Sequence, residues 1–86
     1  MNLDELRYKI DKIDEEIVSL LNKRANNAIE IGREKKKQCR PIRNSDREHD
    51  VLQHITRLNR GPLGNEAINA IYRQIISECS KVQSSE

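Results

Sequence analysis

Large apolar side chains open the chain at Leu3, Leu6, Ile10, Ile13, Ile17 and Leu20, in alternating steps of three and four. On an α-helix these positions fall on one stripe, so the spacing predicts a heptad seam. No proline occurs before Pro41, and Gly32 is the only glycine in this stretch. One helix is therefore expected from about Leu3 to about Lys37. At about 1.5 Å per residue it is roughly 50 Å long, whereas a compact chain of 86 residues has a radius of gyration of about 12 Å. Such a helix overhangs its own subunit, and its far half needs cover from a second chain.

Pro41 breaks the helix, because it lacks a backbone donor and pushes Arg40 out of the helical region. Ser45-Asp46-Arg47-Glu48 then reads as a capping box, with Asn44 as the alternative cap. The second helix carries Val51, Leu52, Ile55 and Leu58 and is expected to end near Asn59, with Gly61 fitting a left-handed stop and Pro62 preventing continuation. Asn65 is the next expected cap. After it, Ile68, Ile71, Tyr72, Ile75, Ile76, Cys79 and Val82 mark a third helix to about Gln83. Residues 84–86 form a polar tail, expected to fray. The expectation is an all-α fold, a single domain over 1–86 with helices at about 3–37, 45–59 and 65–83.

Composition strengthens the case for oligomerisation. Only 35% of the residues are apolar and two tyrosines are the only aromatics, so a lone core of this size is marginal. Cys39 and Cys79 cannot make a disulfide scaffold, and no CxxC or Cys/His cluster offers metal spacing. A partner chain is the remaining remedy. Sixteen Lys and Arg against fourteen Asp and Glu leave a net charge of +2, too balanced for a nucleic-acid arm. The N-terminus alternates charge with apolar residues and holds no run of signal-peptide or membrane-span length. A soluble, cytoplasmic protein with no nucleic-acid or membrane partner is expected.

Where the cations sit changes the picture further. Extending the seam beyond Leu20 calls for apolar residues near positions 24, 28, 31 and 35. Ala28 and Ile31 comply, but the other two places hold Arg24 and Lys35. A seam cation is costly unless an anion neutralises it, so Arg24 either pairs with a partner glutamate or meets a ligand, and Lys35 either snorkels or does the same. Arg7, beside Leu6, fits a solvated or flanking ion pair equally well. The third helix runs its stripe into Gln83, a surface residue on spacing alone. Cys79 reads as a small buried hydrophobe, Cys39 carries no signal, His49 and His54 read as surface residues, and Glu48 is either a capping partner or a ligand. Several cations, a carboxylate and amides near one seam suit a small anion with several carboxylates, because guanidinium forks bind carboxylates bidentately.

Four strings occur in order: LRYKIDKIDEEIVSLLNKR (6–24), IEIGREK (29–35), RPIRNSDREHDVL (40–52) and GPLGNEAINAIYRQIISECSKVQ (61–83). Together they resemble the all-helical AroQ class of chorismate mutases over residues 3–83, and are similar to the mutase domain of bifunctional chorismate mutase/prephenate dehydratase proteins. The resemblance implies an intertwined homodimeric bundle with three helices per chain and two active sites. It implies the Claisen rearrangement of chorismate to prephenate, in phenylalanine and tyrosine biosynthesis, without metal or cofactor. Arg7 would reach into the partner's site and bind one substrate carboxylate, and Arg24 the other. Lys35 and Gln83 would donate to the ether oxygen, and Arg47 would lie near the carboxylates. Glu48 would accept from the ring hydroxyl, and Ile31, Val51 and Ile76 would wall the ring.

Such a site works by holding a rare substrate conformer and stabilising the charge that grows on the ether oxygen. Asn44 and Cys79 depart from the common aspartate and serine of the family at peripheral substrate contacts; Asn44 can still accept a hydrogen bond, whereas Cys79 is a poor donor. Since Gln83 is an amide, activity is expected to persist at neutral to mildly basic pH. A related enzyme reading is an isochorismate-pyruvate lyase; a different class is a non-catalytic helical dimerisation module, for which Arg24→Ala and Lys35→Ala would be neutral or stabilising.

Overall fold

The heptad stripe forms one unbroken helix, α1 (Leu3–Lys37). Its start is fixed by a capping box that the apolar pattern does not reveal: the Asn2 side chain accepts from the Glu5 N–H at 2.8 Å and Glu5 reaches back to the Asn2 N–H. The computed structural model describes residues 1–85, Ser85 by its backbone alone. Glu86, the end of the expected polar tail, lies outside the described residues.

α1 stops before Pro41 is reached. Gln38 is the C-cap and Cys39 takes a left-handed conformation at φ +54°. The Cys39 N–H donates to the Lys36 carbonyl at 3.2 Å and the Arg40 N–H to the Lys35 carbonyl at 2.8 Å, the two bonds of a Schellman stop. The residue without a sequence signal thus turns the chain.

α2 (Ser45–Leu58) is capped by Asn44, whose side chain accepts from the Arg47 N–H at 3.1 Å. The Ser45–Glu48 box does not form, since Ser45 is already helical and the Glu48 carboxylate is held by Arg43 instead. α2 ends at Leu58, one residue earlier than expected. Gly61 does have positive φ, at +75°, but it lies beyond the extended Asn59 cap and so shapes the loop and does not close the helix. The Asn59 amide bridges that loop, donating to the Leu63 carbonyl at 2.9 Å and to Asn65 Oδ1 at 2.8 Å. Asn65 is therefore a helical residue tied to the loop: α3 (Asn65–Ser85) begins there, with the Gly64 carbonyl accepting from the Ile68 N–H at 3.1 Å. α3 continues two residues past Gln83 into the expected tail.

α3 is the hub. It packs on α1 and on α2, while among the described residues α1 and α2 do not pack on each other. Burial is confined to these contacts, with Ala28, Ile55, Ile76 and Cys79 as the buried apolar residues. The molecule measures 55 × 24 × 15 Å with a radius of gyration of 15.8 Å, well above the roughly 12 Å of a compact chain this size. The reason is the overhang of α1: all six seam residues from Leu3 to Leu20 are 45–61% exposed. No helix among the described residues is long and apolar enough to cross a membrane.

Candidate active site

The second half of α1 turns one face toward α3. Arg24, Ala28, Ile31 and Lys35 are spaced by four, three and four residues, so they stack along one side of the helix. Ala28 is buried at the helix contact, and Gly32 lets α3 come closer still. A Cβ built on Gly32 would lie 3.2 Å from both the Cβ and the carbonyl oxygen of Gln83. The missing side chain at Gly32 therefore sets the depth at which Gln83 meets α1.

The same logic applies to the other helices. Ile76, Cys79 and Gln83 form a three-and-four stripe on α3, and Arg47, Glu48 and Val51 occupy the first turns of α2, oriented by the Asn44 cap. Together with Asn27, Ala28, Ile42 and Asn44, these stripes enclose a cavity of about 290 Å³. Ten expected positions line it: Arg24, Ile31, Lys35, Asn44, Arg47, Glu48, Val51, Ile76, Cys79 and Gln83. Arg7 does not. It lies 17 residues before Arg24 on the same helix, about 25 Å away along the axis, on the exposed half of α1.

The cavity is electropositive, and its cations are held differently from those on the outer surface. Lys12, Arg33, Lys37 and Lys81 each pair with a glutamate three residues away in sequence. Among the described residues the Arg24 and Arg47 guanidinium groups have no carboxylate partner. Lys35 Nζ donates to the Ile42 carbonyl at 2.6 Å, which aims the ammonium and leaves two of its three protons for other acceptors. The dipole of a carbonyl places the cation without cancelling its charge.

Two further groups complete the lining. Gln83 Oε1 is buried without a hydrogen-bond partner, and rotation about the last torsion would put the Nε2 donor in the same place. The Glu48 carboxyl is held below its ordinary pKa, first by the hydrogen bond from Arg43 and then by the charges of Arg43 and Lys35, with partial burial opposing them. Asn44 spends one acceptor lone pair of its Oδ1 on capping α2, which leaves the second lone pair and its N–H₂ group for the cavity. Cys79 is buried as expected of a small hydrophobe, and it borders the same space.

The sequence reading missed Asn27, Ile42, Arg43 and the role of Gly32. Asn27 lies three residues after Arg24 and was legible from helical spacing. Ile42 acts through its backbone and Arg43 through a loop, so periodicity gives no sign of either.

This arrangement, with three cations, a carboxylate, three amides and apolar walls, suits a small anion bearing carboxylates and a hydroxyl. Comparison with known proteins points the same way. The family model for chorismate mutase type II matches residues 6–84. The chain is 46% identical over 85 residues to a bifunctional chorismate mutase/prephenate dehydratase of Aquifex aeolicus, an alignment covering 94% of this chain and 24% of that protein. It thus spans about a quarter of the length of the curated relative. Among solved structures, a chorismate mutase (form II) from Thermus thermophilus superposes with a TM-score of 0.93 at 28% identity, covering 95% of this chain and 93% of the other. The chorismate mutase of Helicobacter pylori in complex with prephenate superposes at 0.88 and 29% identity, covering 96% and 90%.

Proposed function

Because the chain belongs to the chorismate mutase type II family, we propose that it converts chorismate to prephenate in the cavity between α1, α2 and α3. The observation that carries this reading is the convergence of Arg24, Lys35, Arg47, Glu48 and Gln83 from three helices on one cavity. The solved relative that holds prephenate supports the ligand class.

In this reading Arg24 binds one carboxylate as a bidentate fork, with Arg47 adding charge nearby. Ile31, Val51 and Ile76 hold the ring, and Glu48 accepts a hydrogen bond from the ring hydroxyl. Asn44 and Cys79 line the hydroxyl and carboxylate periphery. The bound substrate is folded with its enolpyruvyl arm over the ring, which turns a rare conformer into the populated one. As the C–O bond breaks ahead of C–C bond formation, negative charge grows on the ether oxygen. Lys35 Nζ and the Gln83 carboxamide donate to that oxygen, and because their bonds strengthen as charge develops they favour the transition state over the substrate.

The site is completed by a second chain. The seam of α1 is bare, and a two-fold axis crossing it midway between Ile13 and Ile17 pairs position i with a position near 30 − i on an antiparallel copy. Arg7 of the partner subunit then lies level with position 23, within a turn of Arg24. That supplies the second carboxylate ligand and explains why Arg7 sits so far from its own cavity.

The test is the loss of chorismate absorbance on adding the purified chain, with the product identified by its acid conversion to phenylpyruvate. Prephenate formation is expected. Turnover of isochorismate in place of chorismate would transfer the site to a lyase, and a folded dimer inert to both would reduce it to a binding module.

A further inference from the structure

Glu48 is gripped from outside the cavity. Arg43 Nε donates to Oε2 at 2.7 Å and Nη2 to Oε1 at 2.8 Å, a bidentate fork with the short distances of charge-assisted bonds. Glu48 borders the cavity and Arg43 does not. The pair joins a loop residue to the first turns of α2 and owes nothing to helical spacing. Its side chains are 57% and 26% exposed, so its contribution to folding stability is small.

We propose that Arg43 is a positioning residue for the rearrangement, fixing the Glu48 carboxylate on the cavity wall and cancelling its charge toward a dianionic substrate. The proposal rests on the reading of the cavity as a chorismate site and adds to it a residue that touches no substrate. A bare carboxylate in a pocket for a dianion repels the ligand it must also recognise. A guanidinium behind it removes that repulsion, and since a carboxylate has about four lone-pair sites, two taken by Arg43 leave others for a hydroxyl proton. Arg43 from the loop and Lys35 from α1 act on the Glu48 carboxylate, and the other charged and titratable groups that line the cavity with it are Arg24 from α1, Arg47 from its own helix and Cys79 from α3. Arg43 is the one that bonds it, and the bond keeps the carboxyl ionised below its ordinary pKa.

A double-mutant cycle on the full chain tests this. Arg43→Gln is expected to lower kcat/KM about tenfold, a coupling of ordinary size for groups in contact, and to move the acid limb of its pH profile upward as Glu48 returns to its usual range. In a Glu48→Gln background the same change is expected to be silent. Arg43→Lys restores charge but not the fork, so the acid limb should return while part of the kcat/KM loss remains. An equal loss in both backgrounds would overturn the proposal, since Arg43 would then act on substrate or fold directly; so would an unmoved acid limb. Carbon-13 NMR titration of the Glu48 carboxyl without substrate separates the two layers. A raised pKa in Arg43→Gln supports control of Glu48 even if the wild-type chain leaves chorismate untouched, an outcome that would defeat the site reading instead, and an unchanged pKa overturns the positioning role.

Discussion

The two halves of α1 share one helix and nearly one stripe, which shifts by a single residue between Arg24 and Ala28, yet they present opposite problems to it. From Leu3 to Leu20 the stripe is apolar and lies in solvent, 45–61% exposed at every seam position. From Arg24 to Lys35 the stripe carries cations and faces α3, with Ala28 and Gly32 buried and Ile31 half exposed on the cavity wall. A single folding unit would bury the apolar half and expose the charged half. The reversal makes sense if each half is completed by something outside the chain: the first by another α1, the second by an anion. Apolar surface left bare and cations left unpaired are two forms of the same signal.

Breaking the first half should have the largest effect. Ile13 and Ile17 flank the inferred two-fold axis, and burying each is worth about 1.5–3 kcal/mol, counted twice because the interface repeats itself. The double variant Ile13→Asp, Ile17→Asp is expected to be monomeric in sedimentation, to lose most of its helical circular dichroism, and to lose turnover with it. An active monomer would remove both the dimer and the need for Arg7 of the partner subunit.

Breaking the second half should spare the assembly. Lys35→Ala removes the donor aimed by Ile42 and is expected to lower kcat by about 10²–10³, the usual result of deleting one preorganised donor to a developing oxyanion, with helicity and dimer mass unchanged. The halves can then be set against each other. Arg7→Ala and Arg24→Ala homodimers should each be crippled in both sites, whereas a hybrid dimer has one site with both arginines intact. Mixing and reannealing equal amounts should restore roughly a quarter of wild-type turnover, because random pairing makes half the dimers hybrid and each hybrid has one good site of two. Restoration would fail if Arg7 served its own chain.

Much of this contrast was legible in the residues. The 3.6 period located all three helices, and the cations at positions 24 and 35 stood out because they occupied apolar places. Helix ends were less legible, since several side chains compete for the same backbone donors. Asn44 outdid Ser45 because Glu48 was already engaged by Arg43, a partner five residues away across a loop. Asn65 was drawn off by Asn59 in the same manner. Ile42 acts through a carbonyl, which every residue owns, so no side-chain pattern could mark it. Gly32 was visible as the only glycine of a long helix, but its meaning required knowing that Gln83 lies against it.

That contact gives a subtler way to disturb the second half. Gly32→Ala gains up to about 1 kcal/mol of helix propensity but places a methyl group 3.2 Å from the Gln83 backbone and Cβ, and overpacking typically costs about 1–3 kcal/mol. The balance runs from neutral to a loss of about 2 kcal/mol. Catalysis is more sensitive, because a displacement of the Gln83 amide by a fraction of an ångström would weaken the bond to the ether oxygen proposed for it; kcat is expected to fall about tenfold with KM little changed. An unaltered kcat would show that α3 does not position Gln83 through this contact.

The smallest effect belongs where α1 ends, just past the lysine that the second half presents. Cys39 holds φ +54°, a conformation costing a residue with a Cβ about 1–2 kcal/mol, while the bonds from Cys39 to Lys36 and from Arg40 to Lys35 require it. Glycine adopts that geometry freely but loses about 0.5–1 kcal/mol more backbone entropy on folding. Cys39→Gly should therefore gain about 0.5–1 kcal/mol per chain, a rise of a few degrees in Tm, with kcat and dimer mass unchanged because Cys39 borders neither the seam nor the cavity. It tightens the helix stop directly behind Lys35, so unchanged kinetics would mean that the Ile42 carbonyl already fixes the ammonium. A gain in kcat would mean that fraying of the last turn had been limiting it, and a lower Tm that the thiol makes a contact worth more than the strain it imposes.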